Sequence, residues 1–456
     1  MSLSLLQFAA LLFDPRVSGP PLRALRTMRA RGIQRLPADV YDPASGRLRI
    51  AQARRFVHEW LDGERLTRHR GQWVLNSFLP PFPGPAYQRM FDNLFSGRHL
   101  SPVSAFLAVT ARCPLHCPHC SRGGRRTGPE LAAAEWLDTI RQLHGFGTSL
   151  VGFTGGEPCV REDLPELVRA AAQGASTILF TSGQGFTPAL AAQLRAAGLW
   201  SVCVSLDADT AEAHDAARGD GSFAAALAAL RLARAQGFYT MAGMVATPAA
   251  VRAGMPERIH GLLAGLGAHE LRIVEAMPCG GLSGCAASSL LAPGDIAALR
   301  RFHVETNRAR RGPKVCAFNQ VESPEIFGCG AGTQHLFIEP SGIVCPCDFT
   351  PLGFGNVRET PLADLWRRMN LAMGDNPRTH CFIQRHREAV QARAAAGERS
   401  DDRPDGRGRR SGARGSRVRA GRAQHPAERH PVGGAQIAVG HESVVESGGA
   451  QAQPET

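Results

Sequence analysis

The chain predicts an α/β fold built on a parallel sheet. Two patterns predict it. Six short apolar runs recur between about residues 103 and 309, and amphipathic Ala/Leu/Arg-rich stretches separate them. Strands alternating with helices of that length form right-handed βαβ units, because parallel neighbours need a crossover. A length of 456 residues, 43% of them hydrophobic, suffices for two or three domains with a sizeable core.

In chain order the expected strands are Ala105–Thr110, Leu150–Thr154, Thr177–Thr181, Ser201–Leu206, Tyr239–Val245 and Glu270–Glu275. The helical stretches between them include Leu131–Leu143, Leu164–Ala172, Ala224–Ala235 and Ile259–Leu266. Directly after the first strand comes Cys113-Pro-Leu-His-Cys117-Pro-His-Cys120, with C-x3-C-x2-C spacing. Three thiolates on so short a loop hold three irons of a four-iron cubane and leave the fourth iron open. A centre used only to carry electrons usually has all four irons closed by protein, so an open iron points to chemistry on a bound molecule. Zinc is the alternative; structural zinc normally draws on a second pair of ligands, and the next cysteine, Cys159, stands alone.

After the second strand the chain reads Val151-Gly-Phe-Thr-Gly155-Gly156-Glu157-Pro158. The cysteine motif behind one strand and GGEP behind the next together resemble the radical S-adenosylmethionine (SAM) superfamily. The resemblance implies a partial TIM-like (β/α)6 barrel, open at the side to a substrate. It implies a [4Fe-4S] cluster on Cys113, Cys117 and Cys120, whose open iron binds the amino and carboxylate groups of SAM. One electron then cleaves the sulfonium to methionine and a 5′-deoxyadenosyl radical, the chemistry of an oxidoreductase or modifying enzyme. Gly155, Gly156 and Glu157 would receive the methionine ammonium: glycines allow close backbone approach, and a carboxylate complements an ammonium. Ser182, Ser205 and Asp207 fall at strand ends where the family contacts the ribose and carboxylate of SAM; ordinary strand-end capping is the alternative. His119 stands where the family often has an aromatic residue near the adenine, or is a solvent-facing loop histidine.

A second cysteine group follows the barrel. Cys329 and Cys345-Pro-Cys347 flank an alternating run and a Pro340-Ser-Gly342 turn, which reads as a β-hairpin. The C-x12-G-x4-C spacing resembles the opening of SPASM/twitch extensions, and the longer SPASM cysteine series is missing. One auxiliary [4Fe-4S] cluster is therefore expected, on Cys329, Cys347 and Cys381, with Cys316 as a fourth candidate and Cys345 able to exchange with Cys347. Its role would be electron transfer to or from a substrate radical, or direct ligation of substrate. Cys159 and Cys203 read as small core residues. Cys279 and Cys285, in the Gly-rich loop after the sixth strand, are either active-site thiols or loop thiols without a role.

The expected organisation is a helical extension over 1–100, a barrel over 101–310, an auxiliary-cluster domain over 311–390 and a disordered tail from 391. In the leader, Leu22–Arg31 and Ile50–Leu61 read as helices and residues 78–85 as an extended linker. Leu3–Phe13 fits neither a signal peptide nor a membrane span. From Gln391 onward the chain has no Leu, Phe, Trp, Tyr or Met, and to His430 it carries eleven arginines against five acids. Without interleaved aromatic residues that charge does not read as a nucleic-acid arm. A peptide or small-molecule substrate, an electron donor such as flavodoxin or ferredoxin, and a cytoplasmic location complete the expectation. A non-enzymatic iron–sulfur carrier or sensor is the competing reading.

Overall fold

The computed structural model describes residues 11, 13–31, 40–42, 44–49, 52, 63–94, 101–125, 128–322, 328–374 and 380–396. All of the expected helix over 50–61 except residue 52, and the tail beyond residue 396, lie outside these residues, as does most of Leu3–Phe13. Thirteen strands occur among them: β1 (Tyr41–Asp42), β2 (Arg47–Leu48), β3 (Thr67–His69), β4 (Gln72–Val74), β5 (Ser104–Thr110), β6 (Leu150–Gly155), β7 (Ser176–Thr181), β8 (Ser201–Ser205), β9 (Tyr239–Ala246), β10 (Glu270–Glu275), β11 (Lys314–Ala317), β12 (His335–Ile338) and β13 (Val344–Cys345).

Strands β5 to β10 stand side by side in chain order, all parallel, as the alternating pattern requires. Helices such as Ala133–Phe146, Leu164–Ala172 and Ser222–Ala235 make the crossovers. Two further strands extend this sheet. β11 adds in parallel to β10, and β12 adds in parallel to β5 with β13 antiparallel beyond it. The expected auxiliary-cluster domain over 311–390 would contain 314–317 and the hairpin. Both instead cover the edges of the barrel sheet, where unpaired backbone groups would otherwise stand open.

Side-chain alternation gives the sheet two buried faces. Ala105, Leu107 and Val109 of β5 face the outer helices with Trp136, Ile140 and Phe153. Phe106 and Ala108 face inward with Ile178, Cys203, Tyr239, Met241, Phe337 and Cys345. Val74 of β4 belongs to the same inner cluster, so the β3–β4 hairpin stops one end of the barrel. Lys314, the only lysine of the chain, fixes it by donating from Nζ to the carbonyls of Val74 (2.8 Å) and Leu75 (2.9 Å). Residues 78–85 are not merely a linker: Phe82 pairs with Trp73, and a helix runs from Pro85 to Leu94. Proline at the first helical position supplies the fixed φ and needs no N–H partner. Among the described residues, 63–94 therefore supply a plug rather than a purely helical extension.

Residues Gln391–Ala396 also depart from expectation, because they complete the helix Phe382–Ala396, which Val390 anchors in the core. No helix among the described residues is long and apolar enough to cross a membrane.

Phe153→Ala should cost about 3–5 kcal/mol in urea unfolding, since the ring is fully buried against the helices. Leu371→Ala, at a side chain 78% exposed, should stay within about 0.5 kcal/mol. Acid sensitivity should originate in the plug. Burial lowers the pKa of His69 to about 4 and of His269 to about 3, and the two rings contact each other at 4.8 Å. Both histidines are neutral when folded but take up a proton in the unfolded chain below about pH 6.5, so stability falls from that pH down to about 3. Unfolding midpoints of His269→Gln across that window should show a shallower slope.

Candidate active site

The cysteine loop begins where β5 ends. Glu130 fixes its base, accepting from Thr110 Oγ1 (3.0 Å) and from the Ala111 N–H (2.7 Å). Within the loop the Cys120 N–H donates to the Cys117 carbonyl at 3.1 Å and the Gly123 N–H to the Cys120 carbonyl at 3.0 Å. Cys113 is exposed, and Cys117 and Cys120 are half-buried. Burial raises the pKa of the Cys113 and Cys117 thiols.

Two glycine turns clasp this loop from either side. At the end of β6, Gly155 has φ +138°, and a Cβ there would overlap the Thr110 carbonyl; one on Gly156 would overlap that of Arg112. The Gly156 N–H donates to Thr110 (2.7 Å) and the Glu157 N–H to Arg112 (2.8 Å). After β10, Gly280 and Gly281 lie as close to the backbone of Pro118–Ser121, with the Gly281 N–H donating to the Cys120 carbonyl at 2.9 Å. The Gly-rich loop that carries Cys279 is thus part of the site's wall. Cys279 itself is buried, and burial, opposed by the adjacent Arg125, raises its thiol to about 11.

Glu157 does not stand as a free carboxylate. Its Oε1 accepts from Thr181 Oγ1 (2.8 Å) and the Cys159 N–H (3.0 Å), and its Oε2 from the Ser182 N–H (2.7 Å) and Oγ (2.6 Å). The acid is buried and ties the ends of β6 and β7 together. The carboxylate is thus engaged by protein donors on both oxygens.

Asp207 is likewise engaged. Its Oδ1 accepts from the Val245 N–H (2.8 Å), and its Oδ2 meets Arg218 Nε (2.6 Å) and His119 Nε2 (3.1 Å). Burial alone would raise its pKa, but Arg218 and His119 outweigh burial and hold the carboxyl well below the usual carboxylate range. His119 is consequently no solvent-facing loop residue. Ser205 ends β8 half-buried nearby. Sequence reasoning missed Arg218, whose backbone carbonyl accepts from Cys117 Sγ at 3.8 Å and whose charge acts on both Cys117 and Cys120. Its sequence signal was slight, because a cation at a helix C-terminus is ordinary capping.

The second cysteine group is distributed over the β12–β13 hairpin and the start of the helix Phe382–Ala396. Cys381 and Cys329 are joined by a side-chain hydrogen bond, and Cys329 acts electrostatically on Cys347. Cys345 is buried and its electrostatic neighbours are Glu339, Arg125, Cys347 and Asp348. Cys316 is the clearest departure: it is buried on β11, and its electrostatic neighbours are Glu270, Glu64, Arg272 and Lys314, none a cysteine. Its strand belongs to the barrel sheet, paired in parallel with β10. A cavity of about 560 Å³ borders Cys381 and is lined also by Glu275, Met277, Arg300, Glu322 and Gln384. A buried bridge joins the two cysteine-bearing segments: Glu339 accepts from Arg122 (3.0 Å) and Arg125 (2.5 Å).

A family model described as the radical SAM superfamily matches residues 107–250, and one described as an iron–sulfur cluster-binding domain, SPASM, matches residues 329–391. The PqqA peptide cyclase of Streptomyces rochei is 33% identical over 279 residues, covering 58% of this chain and 76% of that protein. The chain belongs to the radical SAM superfamily. Also similar is the AdoMet-dependent heme synthase of Oleidesulfovibrio alaskensis, 29% identical over 59% of this chain and 76% of that protein. Among solved structures, Streptococcus suis SuiB bound to the precursor peptide SuiA aligns with 17% identity and a TM-score of 0.49, covering 61% of this chain and 68% of that one.

As a radical SAM enzyme the chain binds a [4Fe-4S] cluster and SAM, and its SPASM extension binds auxiliary iron–sulfur. This answers the zinc alternative. The donor set fits such a cluster: three thiols on one loop, beside a turn with no room for a side chain.

Glu157→Ala should cost about 1–3 kcal/mol, because it leaves Thr181 Oγ1 and the Ser182 N–H without their acceptor. Chemical denaturation of the metal-free protein measures this without reference to activity. Thr181→Ser keeps the donor and should stay closer to wild type.

Proposed function

We propose that this radical SAM enzyme abstracts hydrogen from a peptide substrate and oxidises or cross-links it, with one auxiliary cluster taking or returning an electron. The observation that carries the reading is the bridge from the Cys113–Cys120 loop through Arg122 and Arg125 to Glu339 on the second cysteine-bearing hairpin. An enzyme that merely stored electrons has no need of a SAM turn on one side of its cluster loop. The two PqqA peptide cyclases compared, from Streptomyces rochei and Xanthomonas campestris, support a peptide as substrate.

In this reading Cys113, Cys117 and Cys120 hold the SAM-binding cluster, and Cys329, Cys347 and Cys381 hold the auxiliary one. When bound, the first cluster and SAM supply a 5′-deoxyadenosyl radical through one-electron cleavage of the sulfonium. The chain's own residues position and shield. Gly155 and Gly156 offer carbonyl oxygens to an ammonium at a turn where no side chain intrudes. Glu157 holds that turn to Ser182, so the backbone presents a fixed acceptor at little entropic cost. Asp207 acts on the site through the residues it holds, Arg218 and His119, with Arg218 the cation beside Cys117. Ser182 and Ser205, at the ends of β7 and β8, would contact the ribose and carboxylate of SAM.

The test is anaerobic reconstitution followed by iron counting and incubation with SAM and dithionite. Wild type should hold about eight irons and form 5′-deoxyadenosine, and the Cys113/Cys117/Cys120→Ala variant should keep about four and form none. Well-reconstituted protein that binds both clusters yet forms no 5′-deoxyadenosine would favour the carrier reading.

A further inference from the structure

We infer that Asn319 reads the main chain of the peptide substrate: its carboxamide accepts from the N–H and donates to the C=O of one extended residue, whose apolar side chain lies against Met277, Ile296 and Phe318. The inference rests on the peptide reading proposed above and names where that peptide is held. All four residues line the cavity of about 560 Å³ beside Cys381, a volume within the range of ligand sites. The cavity lies where a barrel places its chemistry. Glu275, in its lining, ends β10, and Asn319 comes two residues after the end of β11. Both strands run parallel with those that lead into the cysteine loop and the GGEP turn, so all four carboxyl ends share one end of the sheet. Met277 stands four residues before Gly281, whose N–H holds the Cys120 carbonyl at 2.9 Å. The cavity thus touches the segment that clasps the first cysteine group and a cysteine of the second.

Asn319 is the unexplained group in that lining. It is only 9% exposed, and among the described residues neither its Oδ1 nor its Nδ2 has a hydrogen-bond partner. No other side-chain amide there lacks partners on both atoms. Leaving an amide buried and unmatched costs stability, so such a group calls for a reason. Its neighbours are already engaged. Arg300 Nε donates to the backbone carbonyl of Asn319 (3.1 Å), which fixes the residue, and Gln384 Nε2 donates to Glu275 (2.5 Å). Burial raises the pKa of Glu275, and Gln384 and Asn319 both act against that rise, yet the bond that closes is the one from Gln384. A carboxamide carries an acceptor and donors side by side. That pair matches the N–H and C=O that an extended residue presents along one edge. The terminal torsion of asparagine is soft, so the covered amide can turn to meet that edge. A charged ligand fits less well, because Glu275 and Glu322 share the lining with Arg300 and Arg385 and neither sign prevails. Asn319 lies between the spans 107–250 and 329–391 matched by the two family models, so neither pattern supplies it.

The test is calorimetric titration of the anaerobically reconstituted full chain with two probes at millimolar concentration. One is N-acetyl-leucine N-methylamide, and the other is its ester analogue, in which oxygen replaces the leucine N–H. Wild type should bind the amide about tenfold more tightly than the ester, because the ester leaves Asn319 Oδ1 without a donor. Asn319→Leu should abolish that preference and should not lower the thermal unfolding midpoint, since it removes an unmatched buried amide. Asn319→Asp keeps the acceptor and loses both donors; it should retain the preference while weakening both probes, and it decides the matter if the leucine variant fails to fold. Wild type that binds both probes equally would overturn the inference and leave the peptide reading in place, with a bound water as the partner of Asn319. Wild type that binds neither would overturn both. An unchanged preference in Asn319→Leu, or unchanged affinities in Asn319→Asp, would also overturn the inference. So would propionamide binding as tightly as the amide probe, since it offers a side-chain carboxamide without a main chain.

Discussion

The site depends on backbone meeting backbone. The cysteine loop is held on one side by Gly155–Gly156 and on the other by Gly280–Gly281, and at each contact a single Cβ would overlap a carbonyl oxygen. Such contacts need no side chain and admit none. They also use the loop's polar groups, since Thr110, Arg112 and Cys120 each give a carbonyl to a clasping N–H. A loop rich in thiols has little apolar surface with which to order itself, so hydrogen bonding and steric closure must do so. The glycines of the GGEP turn therefore serve the cluster loop directly, beyond any contact they make with a ligand.

Around that clasp the structure spends buried charge on placement. Glu157, Asp207 and Glu339 are each buried or nearly so, and each joins two elements: β6 to β7, β8 to the Arg218 helix end, and the cysteine loop to the second hairpin. Buried ion pairs contribute little net stability once desolvation is counted, and breaking one partner away is expensive. What they secure is geometry. Arg125 shows this best: it is almost wholly enclosed and donates both to Glu339 and to the Asp348 carbonyl, so it has one orientation open to it.

The fold was legible because its strands obey period and composition. All six expected barrel strands fall within a residue of their observed ends, and the helix Leu164–Ala172 matches at both ends. The same rule explains what was missed. β11 is only four residues long, and its Lys314 and Cys316 carry no strand signature. The β3–β4 plug is held by tertiary contacts to Lys314, Glu270 and Arg272, which no local pattern reports. At the site, residue types were readable but partners were not. Glu157 and Asp207 read as ligand-facing acids because a carboxylate at a strand end has two possible customers, and sequence does not say whether protein donors reach it first.

The relative position of the two cysteine groups follows from sheet register. β12 pairs with β5 so that Leu336 lies opposite Ala105 and Ile338 opposite Leu107. Leu336 and Ile338 are buried in the outer core, and Phe337 in the inner one. A slip of one residue would exchange those faces, which burial on both sides forbids. Glu339 is the next residue, so its reach to Arg122 and Arg125 is inherited from the ladder. A flexible tether would let the distance between two redox groups vary, and electron transfer would vary with it. By pairing the second hairpin to the strand that feeds the first cysteine loop, the chain makes the spacing of these two segments a property of its barrel.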